Sequence, residues 1–151
     1  MSFFELKKNL ERKNVLIELK EFLHLKKIPL KIESFDIANI TDKFIVAGMV
    51  SFFEGKKDKS NYRKFNIKST VFQNDFLAIE EVVYRRYKRL LNENKELPGL
   101  IMIDGGKGQL NSAIKSLSKL GLSHFPVISI AKKEEEIFVP KRKDPLKINL
   151  Y

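Results

Sequence analysis

An α/β fold, a mixed sheet with flanking helices, is predicted by three features of this sequence. Three strand-like runs follow one another between residues 30 and 69 with short polar connections, as an antiparallel meander requires. The hydrophobic period then changes from two to 3.6 near residue 76, and helix and strand patterns alternate up to residue 131. Apolar residues make up 43% of 151, enough for one core, which excludes wholesale disorder and fits one domain better than two.

Ser2 to Leu25 reads as a helix, because Leu6, Leu10, Ile17, Phe22 and Leu25 recur near helical spacing among lysines and glutamates. Lys26, Lys27 and Pro29 close it. A basic amphipathic helix can bind a membrane, but this one carries four glutamates and few bulky aromatics. It is expected to pack on its own domain or to link to something upstream. Residues 1–29 are therefore assigned as an N-terminal linker helix and residues 30–151 as the main domain.

Leu30–Ile40 is rich in Ile and Phe, and Phe44–Phe53 is nearly all apolar, as a strand covered on both faces would be. Tyr62–Ser69 alternates, and the polar stretch around Gly55 suits a hairpin turn. Asn74 and Asp75 can cap a helix from Phe76 to about Glu93. Phe76, Ile79, Val83, Tyr87 and Leu90 share one face of it, and Arg85, Arg86, Lys88 and Arg89 crowd the other. After Pro98 and Gly99, the run LIMID (100–104) is a short buried strand. The turn Gly105-Gly106-Lys107-Gly108 leads into a helix from Gln109 to Leu120, with Gly121 as its C-cap. Phe125–Ala131 is a further strand, and Ile137–Pro140 with Leu146–Tyr151 forms a hairpin around Lys141–Pro145. Three antiparallel strands followed by alternating helix and strand is the ribonuclease H-like order. The chain stops at Tyr151 on a strand-like run, without a closing helix.

The net charge of +10 favours a polyanionic partner, either nucleic acid or an anionic membrane surface. The absence of cysteine removes thiol catalysis, disulfides, iron–sulfur clusters and cysteine-ligated zinc. No apolar run approaches the roughly 18 residues needed to span a bilayer, and no signal peptide is visible. A soluble, cytoplasmic protein is expected.

Three aspartates stand out by position. Asp36 interrupts an apolar strand, where propensity disfavours it, and Asp104 ends LIMID, where open α/β sheets place ligands. Asp75 opens the first long helix of the main unit. Each has a plainer reading: Asp75 as an N-cap, Asp104 as turn chemistry. On neighbouring strands about 4.8 Å apart, however, two carboxylates repel unless a cation lies between them. Oxygen ligands of this kind suit Mg²⁺ or Mn²⁺, ions that activate water for phosphodiester cleavage. The glycine turn fits neither a Walker A nor a dinucleotide pattern, because Ile101 and Asn111 stand where glycines are needed. It does aim Lys107 and a helix amino terminus near Asp104, a phosphate contact in kind. Lys56, Lys57, Lys59, Arg63, Lys64 and Lys68, offset by Asp58, put about five net positive charges on one hairpin, with Tyr62 and Phe65 interleaved. That is either a solvated face or a nucleic-acid surface. His24 and His124 lie in segments not expected to reach the aspartates.

The stretches ESFDIANI, KSNYRKFNIK, NDFLAIEEVVYRRYKRLL, LPGLIMIDGGKGQLNSA and PVISIAKKEEEIFVP closely resemble, in order and spacing, the C-terminal nuclease half of the UvrC family. The resemblance implies a ribonuclease H-like domain that cuts damaged double-stranded DNA on the 5′ side of the lesion in nucleotide excision repair. It implies UvrB as partner, with UvrA upstream. It also implies that Asp36, Asp75 and Asp104 are the catalytic aspartates and hold Mg²⁺ or Mn²⁺. Lys107, Arg85 and Arg86 fall in family motifs, and a supporting or DNA-contact role is expected of them. The family completes its site with a histidine in a Glu-Ala-His-Arg-Phe motif, and no such motif occurs in these 151 residues. A C-terminally incomplete domain, inactive alone, is therefore expected. The alternative is a non-catalytic DNA- or UvrB-binding module on the same fold.

Overall fold

The computed structural model describes residues 14–41, 44–68, 74–134 and 136–147. Strand β1 (Lys31–Thr41) pairs antiparallel with β2 (Phe44–Phe53), from Lys31 opposite Phe53 to Asn39 opposite Ile45, with a register irregularity between Asn39 and Thr41. Two short strands share the outer edge of β2: β3 (Lys56–Lys57) against Phe52 and Phe53, and β4 (Arg63–Asn66) against Val46 to Met49. One turn of 3-10 helix, Lys59–Asn61, joins them. It is tied by the Asp58 carboxylate, which accepts from Asn61 Nδ2 at 2.6 Å and Ser60 Oγ at 3.2 Å. The sequence reading takes this whole stretch as a turn, because two consecutive lysines carry no strand signal.

Helix α2 (Asp75–Asn92) leads to β5 (Leu100–Asp104), which lies parallel to β1. Helix α3 (Lys107–Lys119) leads to β6 (Val127–Ala131), parallel to β5. The expected hairpin, β7 (Glu136–Phe138) and β8 (Leu146–Lys147), then adds antiparallel to β6. The sheet order is β3-β2-β1-β5-β6-β7-β8, with β4 beside β2. This is the mixed sheet that the order of periodicities predicts.

Strand alternation divides the interior into two cores. On one face, Phe35, Ile101 and Ile103 pack with Ile79, Val83 and Tyr87 of α2 and Leu110 of α3. On the other, Ile32, Leu100, Ile128 and Ile137 pack with Leu16. Leu16 belongs to helix α1, described over residues 14–22, and Leu19 and Leu23 pack beside it. The inward phase therefore runs Leu16, Leu19, Leu23, whereas Ile17 and Phe22 are each 40% exposed. Sequence periodicity misplaces this face because apolar residues at 15, 16, 17, 19, 22 and 23 support more than one phase. Leu6 and Leu10 lie outside the described residues.

Two further expectations change. Strand β2 is fully covered on one face only, where Ile45, Ala47, Met49 and Ser51 are buried; Val46, Gly48 and Val50 are half-buried. Phe76 does not sit in the core but lies half-exposed, with its ring against the start of α3. There the ring lies over Gly108, and a Cβ at that position would come within 2.6 Å of it, so a larger residue would displace the half-exposed ring.

Candidate active site

Asp36 lies on the face of β1 turned away from α2, because its neighbours Phe35 and Ile37 pack in the helix-covered core. In the parallel pairing of β1 with β5, Phe35 stands opposite Ile103. The next residues on the two strands are Asp36 and Asp104, which therefore stand side by side, about one strand spacing apart. Partial burial first, and the Asp104 carboxylate second, raise the pKa of Asp36 above the ordinary carboxylate range. Lys132, just past β6, brings its Nζ within 4.0 Å of Asp104 Oδ2 and opposes that rise.

The turn after Asp104 is built by specific contacts. Gly105 donates its N–H to Ile130 O at 3.0 Å and adopts φ +150°, and a Cβ there would meet the Gln109 side chain at 2.7 Å. Gln109 Oε1 accepts from Gly106 N–H at 3.0 Å, and Ser129 Oγ donates to Gly106 O at 2.9 Å. This side-chain cap lets α3 begin at Lys107, two residues before the expected start. Lys107 is exposed, and its Nζ donates to Lys143 O at 3.2 Å.

Asp75 is not the cap of α2. Asn74 takes that role, its Oδ1 accepting from Leu77 N–H at 3.1 Å. The Asp75 carboxylate instead accepts from Asn39 Nδ2 at 3.4 Å, three residues beyond Asp36 on β1. Among the described residues, no three His, Cys, Asp or Glu side chains converge closely enough to hold a metal ion. The structure thus brings Asp36 and Asp104 together and leaves Asp75 apart from them, at the start of α2 against Asn39 of β1.

The basic residues divide into free and committed groups. Lys56, Lys57 and Lys59 are exposed along the β3 edge. Arg85 donates from Nη1 and Nη2 to Asn66 O at 3.1 Å each, and its guanidinium lies 5.2 Å from the centre of the Phe65 ring, tying β4 to α2. Arg86, expected on the outer face of α2, is turned inward and buried. Its Nη2 donates to Glu33 Oε2 at 2.8 Å, and Tyr87 Oη donates to Glu33 Oε1 at 2.8 Å. Glu33 is the signal the sequence reading passed over: a second carboxylate in β1, with α2 partners for its charge. Lys132 is also missed, since it sits in a charged run that reads as solvated.

Two depressions lie away from the aspartate pair. A groove of about 820 Å³ runs along α2 and α3 on the opposite side of the sheet, lined by Tyr84, Lys88 and Lys119 among others. A cavity of about 540 Å³ at the amino ends of β5 and β6 contains both His24 and His124. Both histidines are therefore remote from Asp104, which ends β5. No helix among the described residues is long and apolar enough to cross a membrane.

Residues 20–150 match the UvrC RNAse H endonuclease domain. The chain belongs to that family. "UvrABC system protein C" of Christiangramia forsetii is 52% identical over 133 residues, which cover 87% of this chain and 22% of that protein. The proteins of the same name from Methanococcus maripaludis and Methanosarcina mazei are 54% identical over 130 residues and 50% identical over 148 residues. These alignments cover 86% and 98% of this chain but only 24% and 27% of the relatives. The chain thus spans about a quarter of the length of the curated relatives it matches. Among solved structures, endonuclease V of Ciona intestinalis in complex with an inosine-containing 24mer DNA is similar, with a TM-score of 0.48 and 18% identity. That match covers 85% of this chain and 62% of the other. The family carries the ribonuclease H-like fold anticipated from the strand order.

Proposed function

We propose that this chain is the metal-dependent DNA endonuclease domain that makes the 5′ incision in nucleotide excision repair. Damaged double-stranded DNA is its substrate and UvrB its partner, with UvrA acting upstream. One observation carries the reading: Asp36 and Asp104 stand side by side on an open part of the sheet, close enough for the Asp104 charge to act on Asp36. Uncompensated, that pair is unfavourable. Two hard oxygen donors of like charge are the donor set a divalent cation relieves.

Asp36 and Asp104 would hold Mg²⁺ or Mn²⁺, with Asp75 as the third carboxylate of the site. The ion would supply an activated water and neutralise charge developing on the phosphate. Asn39 orients the Asp75 carboxylate through the 3.4 Å contact. Lys107, at the amino end of α3, faces phosphate together with that helix terminus, and Lys56, Lys57 and Lys59 hold flanking backbone. Arg85 supports this surface by fixing β4, and Arg86 supports it through Glu33.

The second reading, a DNA- or UvrB-binding module without chemistry, draws on the separation of Asp75 from the converging pair. Calorimetric titration with Mn²⁺ tests the first reading. Wild type is expected to bind one ion, and Asp36→Asn and Asp104→Asn to lose at least about tenfold in affinity. Unchanged binding in both variants overturns the assignment of these aspartates and leaves the binding module.

A further inference from the structure

Strand register places one row of residues across the sheet. Lys64 of β4 pairs with Gly48 of β2, Gly48 pairs with Asp36 of β1, and Asp104 stands next to Asp36 on β5. Directly opposed residues share a face, so Lys64, Gly48, Asp36 and Asp104 all point to the same side. An independent contact agrees: Phe65, the next residue after Lys64, is the one whose ring meets Arg85 of α2 on the other side. Beyond Asp104 the row continues to Ile130 of β6, and Lys132, two residues further on, brings its Nζ within 4.0 Å of Asp104. Two lysines therefore flank two carboxylates, and between Lys64 and Asp36 there is no side chain.

Gly48 has no local reason to be glycine. Its φ is not positive, and a Cβ built there would meet only the Asp36 carbonyl oxygen, at 4.0 Å. A glycine inside a strand weakens it, and often marks a place where a ligand or another backbone approaches closely. The same face stays open around it: Ala38 and Ile40 are exposed, and Val46 and Val50 half-buried.

We infer that this row is a track for the sugar–phosphate backbone of one DNA strand, with Gly48 as its floor and Lys64 and Lys132 as phosphate-positioning residues on either side of the carboxylates. The inference rests on the functional reading above, and extends it to three residues outside the aspartate set. Charge complementarity selects the occupant. Lysines that face a polyanion hold it over carboxylates that need a cation before they tolerate it, so the strand docks fully only when the ion is present.

The test combines thermal unfolding, Mn²⁺ titration and fluorescence-anisotropy binding of a labelled DNA duplex with Mn²⁺ present. In Gly48→Val a residue that favours strands replaces a glycine whose Cβ position is open, so its Tm is expected to equal or exceed that of wild type. Its Mn²⁺ affinity should stay within about twofold, while its DNA affinity falls at least tenfold and that of Gly48→Ala falls less. Lys64→Gln and Lys132→Gln should each lower the salt slope of DNA binding by about 0.9, and Lys132→Gln should also tighten Mn²⁺ by removing a like charge. Wild-type DNA affinity in Gly48→Val, with its fold intact, overturns the track and leaves this face to a protein segment. Failure of wild type to bind Mn²⁺ counts against the metal reading alone, because the track is judged by the DNA measurements.

Discussion

At the scale of single residues, two neighbouring carboxylates set their own ionisation against the stability of the fold. Because the pKa of Asp36 is raised, the folded state holds its proton more tightly than the unfolded chain does. Stability therefore falls as pH rises from the ordinary carboxylate value through the raised one, and at neutral pH the ionised pair opposes folding. Asp36→Asn should raise the denaturation midpoint at pH 7 without divalent ions, and the gain should shrink as pH falls through the raised value and be lost below the ordinary carboxylate value of about 4, where aspartate becomes protonated in both states. Saturating Mn²⁺ should act in the opposite sense, stabilising wild type by about 2.7 kcal/mol at a hundred times its Kd and the variant, which binds at least tenfold more weakly, by no more than about 1.4 kcal/mol. Urea titrations at the two pH values, with and without the ion, check both signs; an Asp36→Asn protein less stable at pH 7 contradicts the account. Asp36 and Asp104 were legible in the sequence because each is a charge set in an apolar run. Lys132 was not, since a lysine among charged neighbours carries no local sign of its tertiary partner.

At the scale of elements, α2 lies across β1 and is pinned at two points. Asn39 reaches Asp75 near one end, and Glu33 takes Arg86 and Tyr87 near the other. Glu33 is fully buried, so the second pin is a charge that the interior tolerates only while its donors remain. Burial, and then the Glu33 charge, push the Tyr87 phenol well above its usual range, so it stays a donor at any pH where the domain is folded. Arg86→Ala leaves the buried carboxylate only the Tyr87 hydroxyl and the more distant Lys31 Nζ at 3.8 Å, and should cost about 3 kcal/mol, whereas Tyr87→Phe removes one hydrogen bond and should cost about 1–3 kcal/mol. Replacing Glu33 and Arg86 together by Leu and Met should cost far less than Arg86→Ala, measured by equilibrium urea unfolding; additive losses would mean the two side chains act independently. Long, strongly periodic elements such as α2 and β2 were legible to within a few residues. The pin was not, because Arg86 lies beside Arg85 and Lys88 and sequence periodicity alone assigned all three to solvent. The same weakness shifted the phase of α1 and hid β3, whose two lysines pair through backbone alone.

At the scale of the whole molecule, the topology was the most legible feature, because the order of periodicities survives errors at every boundary. The meander fixes β1 between β2 and β5, and the two parallel crossovers bring Asp104 to the carboxyl end of a central strand beside Asp36. Charge belongs to this scale too. A net charge of +10 raises the local concentration of any polyanion, but only charges that face it contribute to the salt dependence of binding. Lys56, Lys57 and Lys59 lie exposed on the β3 edge, the side of the sheet reached from Asp36 through β2. Arg85 and Arg86 are held by Asn66 and Glu33 and have fewer donors to offer. Changing the three lysines together to Gln leaves the net charge positive, at about +7, so a uniform long-range attraction would fall only modestly. If instead each holds a phosphate, the slope of log affinity against log salt should drop by roughly 2.7, three contacts at about 0.9 each. Binding of a mixed-sequence duplex across a salt series separates the two, and sequence-independent affinity is expected throughout. A slope unchanged in the triple variant places the DNA surface on the far side of the sheet instead, along the groove lined by Lys88, Arg89 and Lys119.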